Sequence, residues 1–149
     1  MWSKKRSLLL SKWVTLLFTL LLAVALVAAP YIAQKFIQAS ANAHQWQFPL
    51  FLLSAYSGGA VAATILVLLY CLLYNIGVGQ VFIQKNVSYL RGISWLCILG
   101  GVIALASAFY YLPWGIVAAA AAFIGLIVRV VKNVIAAAIA LKEENDYTI

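Results

Sequence analysis

Four apolar runs, each close to the length a helix needs to cross a bilayer, constrain this chain more than any motif in it. A membrane's hydrocarbon core takes about 20 apolar residues in helical form. The first run covers residues 13–33 and includes Leu16, Leu17, Phe18, Leu20, Leu21 and Leu22. The second covers residues 49–74, the third 93–111 and the fourth 114–135. Of 149 residues, 66% are hydrophobic and 9% charged, where an ordinary soluble domain has about 45–50% and about 25%. A water-soluble fold of this length cannot hide so much apolar surface, and lipid as the solvent removes the difficulty. The reading is an all-α membrane protein: one domain over residues 1–149, a four-helix antiparallel transmembrane bundle.

Charge sets the expected orientation. Lys4, Lys5, Arg6 and Lys12 precede the first span, Lys85 and Arg91 lie between the second and third, and Arg129, Lys132 and Lys142 lie at the far end of the fourth. Only Lys35 falls on the other side, so nine of the ten basic residues share one side. The positive-inside rule makes that side the cytoplasm, with both ends in. The net charge of +7 is then first a topology signal and second an attraction for anionic lipid head groups. The basic residues form no patch of the kind that binds nucleic acid. The N-terminus resembles a signal peptide in its Lys4, Lys5 and Arg6, and Ala39, Ser40 and Ala41 offer cleavage-like small residues. The apolar run over 14–29 is too long for a signal's central region of about 7–15 residues, so the first span is expected to be retained.

Small residues recur at four-residue steps: Ala55, Gly59 and Ala63 in the second span, with Gly58 alongside; Gly100, Ala104 and Ala108 in the third; Ala118 and Ala122 in the fourth, with Gly125 nearby. Each series lines one helix face and permits close approach in lipid. The same stripes serve a compact bundle or a homo-oligomer equally well, and both stay open. Trp13, Trp46, Phe48, Tyr110, Tyr111 and Trp114 fall at span ends, where aromatic rings anchor at the interface. Pro30 is expected to kink or end the first helix, leaving residues 31–47 as the one sizeable outer loop, with a helical continuation through Phe36 open as an alternative.

Catalytic chemistry is hard to build from this sequence. The one histidine, His44, lies outside the spans, and all three acidic residues, Glu143, Glu144 and Asp146, fall in the last seven positions. That removes paired-aspartate proteolysis and carboxylate-coupled transport as simple readings. Cys71 and Cys97 are not spaced as a metal site and read as small hydrophobes. Ser54, Ser57 and Ser107 have no histidine or lysine at comparable depth to act as a base. No metal motif or phosphate-cradling loop is present. The chain is read as a non-enzyme without cofactor or metal. Arg129 stands 14 residues beyond Gly115, about 21 Å along a helix, so it and Lys132 are membrane-interface charges that snorkel.

Two polar segments stand out. In residues 75–92, Ile83, Val87, Leu90 and, just beyond, Ile93 recur at roughly helical spacing among Lys85, Asn86 and Arg91. That pattern predicts a short amphipathic helix on the cytoplasmic surface, leading into the third span. The tail 142–149, KEENDYTI, turns sharply polar, and Glu143 and Glu144 oppose the helix dipole there. Both segments carry a family likeness. Phe82, Asn86-Val87 and Leu90-Arg91, with the ending Glu144-Asn145-Asp146, Tyr147, Thr148 and Ile149, resemble bacterial domain-of-unknown-function family 2975. The likeness covers spans two to four. It departs at Ile83, where the family usually has a Ser or Thr suited to capping a helix.

The resemblance implies a small four-span protein of a bacterial inner membrane, with members often encoded beside a short DNA-binding regulator. The leading expectation is an interaction protein that restrains or senses for such a regulator. Phe82, Lys85, Asn86, Leu90, Arg91, Glu143, Glu144, Asn145 and Asp146 are its candidate partner-binding residues. The competing expectation is a small transport, permeability or bacteriocin-immunity protein with a polar path lined by Ser54, Ser57, Asn75 and Ser107. A membrane protease acting on the regulator comes third.

Overall fold

A computed structural model describes residues 4–39 and 44–148 of the chain, so the triplet Ala39, Ser40, Ala41 lies largely outside it, as does the terminal Ile149. The described residues form four helices: α1 Lys4–Ala39, α2 Gln47–Gly77, α3 Gln84–Ser107 and α4 Trp114–Tyr147. All four are long and apolar enough to cross a membrane. Their outward faces carry the signature of a lipid solvent, for Leu16, Phe18, Leu20 and Leu126 are each half or more exposed.

Neighbouring helices run antiparallel, as side-chain meetings show. Leu26 of α1 lies against Gly59 of α2, and Leu8 lies against Gly77. Across α2 and α3, Ser54 meets Ser107, Val61 meets Gly100, Leu68 meets Gly92 and Asn75 meets Asn86. The α2 positions in that series recur every seven residues, the repeat that keeps two supercoiled helices in one seam. Its ends are polar and its middle is apolar. Between α3 and α4, Gly125 faces Cys97 and Gly101 faces Ala118. A Cβ on Gly125 would stand 3.1 Å from that of Cys97 and 3.4 Å from the Ser94 carbonyl oxygen, so the small-residue stripes of α2, α3 and α4 are used within the chain.

The bundle is not closed. Among the described residues the helix backbones approach only their neighbours in sequence, and no Cα of α1 comes within 8 Å of one in α4. An apolar cavity of about 520 Å³ lies between all four helices, lined by Leu26, Gly58, Cys97, Gly100, Ala121 and Ile124 among others. At one end of the molecule the N-terminus of α1, the α2–α3 turn and the later part of α4 lie together. At the other end Phe36 stacks 6.1 Å from Phe51 and meets Tyr111 edge-on at 4.7 Å, and Phe51 lies 6.1 Å from Trp114. Trp13 and Trp46 stay well exposed, as interface anchors require.

Helix limits differ from the sequence reading in four places. Pro30 lies inside α1 and does not end it. Contacts of Leu26 and Phe36 with α2 on either side of the proline hold the helix across it, in keeping with the tolerance of transmembrane helices for proline. The expected surface helix between the second and third spans is not a separate element: residues 84–92 are the first turns of α3 itself. The physical reason is one unbroken stripe of buried positions, Asn86, Val87, Leu90, Ile93, Ser94, Cys97, Gly101 and Ala104, which continues the pattern straight into the bundle. Helix α3 stops at Ser107 rather than near residue 111, because the Ser107 carbonyl takes the amides of both Tyr110 and Tyr111 at 3.2 Å and Pro113 follows. Finally, α4 runs on through the polar tail to Tyr147. The alanines at 136–138 and 140 favour helix, and the Thr148 hydroxyl donates to the Glu144 carbonyl at 2.6 Å.

Candidate functional site

The candidate partner-binding residues gather at the end of the molecule that holds both helical termini, but they divide into two kinds. Asn86 and Leu90 are core residues, only 1% and 6% exposed. Phe82 is half exposed, and Lys85 and Arg91 are open to the surroundings. Binding to another molecule through Asn86 or Leu90 would first require α3 to leave the bundle.

Asn86 is the centre of a buried clamp. Helix α2 ends in a turn where Gln80 N–H donates to the Asn75 carbonyl at 2.9 Å and Gly79 takes φ of +82°, a conformation that disfavours any side chain. The chain then passes Phe82 and enters α3 at Ile83, whose extended backbone precedes the first turn with no side-chain cap. The Asn86 amide instead holds the entry from inside the helix. Its Nδ2 donates to the carbonyls of Gln80 at 2.7 Å and Val81 at 2.9 Å, and its Oδ1 accepts from Asn75 Nδ2 at 2.8 Å. Every hydrogen of that amide is used, as burial demands. Asn86 caps no amide of α3; it fixes the turn that precedes the helix through the Gln80 and Val81 carbonyls.

The opposite end holds a chain of hydroxyls. Tyr110 Oη donates to Ser54 Oγ at 2.9 Å, Ser54 and Ser107 share a hydrogen bond of 2.6 Å, and Ser107 Oγ donates to the Ile103 carbonyl at 2.8 Å. Each hydroxyl has one hydrogen, so Ser54 must donate to Ser107. The chain ends on a backbone carbonyl and not on a base. Ser57 bonds back to the Leu53 carbonyl at 2.7 Å. The four residues expected to line a polar path therefore occupy the two ends of the α2–α3 seam, with apolar Val61 and Leu68 between them, and do not form a path.

Arg129 and Lys132 are half-buried on α4 and converge with Arg91 of α3 around a pocket of about 130 Å³, together with Ser94 and Trp95. The Arg129 guanidinium lies 5.3 Å from the centre of the Trp95 ring. The tail does not join this group. From Ala140 to Thr148 every residue is exposed, including Glu143, Glu144, Asn145 and Asp146, so α4 projects past the other helices. The described residues contain no cluster of side chains that could hold a metal ion.

Sequence reading missed the clamp, the hydroxyl chain and the pairing of Trp95 with Arg129. Only the first had a readable signal: two asparagines, Asn75 and Asn86, bracketing a glycine-containing turn between apolar helices.

These features define a polytopic all-helical protein, with four helices able to cross a membrane and polar groups concentrated at their ends. Residues 10–149, essentially the whole chain, match a family described as a protein of unknown function, DUF2975, and the chain belongs to that family. Neither the curated proteins nor the solved structures provide a match.

Proposed function

We propose that this chain is a non-catalytic interaction protein of the bacterial inner membrane, oriented with both ends in the cytoplasm, that restrains a cytoplasmic DNA-binding regulator. The observation that carries the reading is the projecting end of α4. All three carboxylates of the chain stand there, fully outside the packed helices, on exposed residues 140–148. A helix that leaves the membrane with its acidic groups at its own C-terminal end gains nothing from the dipole, so its stabilising partner is sought outside the chain. The exposed Phe82 and Lys85 at the same end add an apolar anchor and a charge. The cytoplasmic placement rests on the distribution of basic residues, and the class of partner rests on the family likeness.

Deleting residues 143–149 is expected to leave the protein in the membrane while the regulator moves to the soluble fraction and its target genes change expression. Phe82→Ala combined with Lys85→Glu should weaken retention in the same direction. A regulator that fractionates as before, with target expression unchanged, defeats the proposal.

A further inference from the structure

The three cations at the α3–α4 seam form a site that the interaction reading does not use. Arg91 and Trp95 follow one another on α3 at one helical turn, and Arg129 and Lys132 do so on α4. The antiparallel packing brings all four to the pocket that Ser94 floors. The Ser94 hydroxyl donates to the Gly125 carbonyl at 3.0 Å, so its hydrogen is already committed and the charges dominate what the pocket can bind. Among the described residues no carboxylate pairs with any of the three cations. The nearest acidic side chain in sequence, Glu143, is 11 residues past Lys132, about 16 Å along the helix. The Arg129 guanidinium lies over the Trp95 ring at 5.3 Å, a cation–π contact. A cluster of unpaired cations selects a phosphate oxygen cluster.

The surroundings say which kind of phosphate. Arg129 also forms one end of an apolar groove of about 530 Å³ on the outer face of the α3–α4 pair. Small residues, Gly101, Ala118, Ala122 and Gly125, make its floor, and Gly115 lies at its far end. From Gly115 to Arg129 is about 21 Å along the helix, longer than the hydrocarbon of one leaflet, which is about half of a core roughly 30 Å thick. Arg129 and Lys132 stand about 22 and 27 Å from Trp114 at the aromatic end. That depth is where acyl chains give way to head groups on the side of the helical termini. Charge above and a continuous apolar groove below match one molecule that carries both.

We propose that the α3–α4 seam binds an acidic glycerophospholipid, its phosphate among Arg91, Arg129 and Lys132 and one acyl chain in the Arg129 half of the groove, past Gly125 and Ala122. The test uses the full-length chain, purified and delipidated in detergent. Native mass spectrometry then measures binding of added phosphatidylglycerol and of phosphatidylcholine with the same acyl chains. Phosphatidylglycerol is expected to bind at least tenfold more tightly. Arg91→Gln, Arg129→Gln and Lys132→Gln should each weaken it about fivefold while phosphatidylcholine stays unchanged. Arg91→Lys, which keeps the charge, should retain the preference. Ala122→Leu, which fills the groove, should weaken both lipids. Because Arg91 is exposed, its substitution leaves the helices packed and the test stands even if the α4 variants lose structure. Equal binding of the two lipids, indifference to all three Gln substitutions, displacement of the lipid by inorganic phosphate, or a groove closed by a second copy of the chain with no lipid retained would each overturn the proposal.

Discussion

At the scale of single residues, the fold depends on a few polar groups placed where lipid cannot help them. Asn86 ties the end of α2, the turn and the start of α3 through three hydrogen bonds. Asn86→Ala should lower stability by about 1–3 kcal/mol, because it orphans two carbonyls and one amide. Asn86→Asp keeps the shape but sets carboxylate oxygens against the Gln80 and Val81 carbonyls, so it should cost at least as much. Unfolding by a denaturing detergent, followed by helical circular dichroism, measures both. The glycines divide on packing. Gly125→Val should cost about 1–3 kcal/mol through the approach of Cys97 and Ser94. Gly58, with nothing within 4 Å of an added Cβ, should accept Ala with no loss and up to about 1 kcal/mol gain in helix propensity. A Gly58→Ala variant as damaged as Gly125→Val would show that the seam is packed differently.

At the scale of elements, the four helices differ in how much they owe to one another. Helix α3 carries the continuous buried stripe and touches both α2 and α4. The final turns of α4, residues 140–147, are exposed throughout. Truncation at residue 142 should therefore leave the unfolding midpoint unchanged, and trypsin acting on detergent-solubilised protein should cut at Lys142 before it cuts at Arg129 or Lys132. Early cleavage at Arg129 would mean that α4 is not held along the seam. The spans were legible because hydropathy and length decide them with no tertiary information. Their limits were not. The apolar spacing of Val87, Leu90 and Ile93 is the same whether a helix lies on the membrane surface or stands in a bundle, and only the neighbour at Asn75 distinguishes the two.

At the scale of the whole molecule, the arrangement is an open array in which α1 and α4 stay apart around an apolar cavity. Both helical termini and the α2–α3 turn face one side. The proposed function takes that side as the cytoplasmic one, from the distribution of basic residues. Single cysteines at Phe82 and at Trp46, introduced with Cys71→Ala and Cys97→Ala, should respond oppositely to a membrane-impermeant thiol reagent in intact cells. Trp46→Cys should be labelled and Phe82→Cys protected. The reverse pattern would place the basic side outside and remove the cytoplasmic partner with it.

The sequence by itself determined the solvent, the number of spans and the side on which the charges collect, because each depends on composition along one stretch of chain. It also marked residues 82–91 and the tail as unusual. Only tertiary structure decided what those marks meant. Asn86 and Leu90 turned inward because α2 supplies a polar partner and an apolar face in register with them. Phe82, Lys85 and the carboxylates were left outside because no helix covers them. Arg91, 38 residues before Arg129 in sequence, joined Arg129 and Lys132 around a single pocket when antiparallel packing set α3 against α4. Periodicity reports which residues share a face of a helix, whereas the identity of the opposing face is a property of the packed chain.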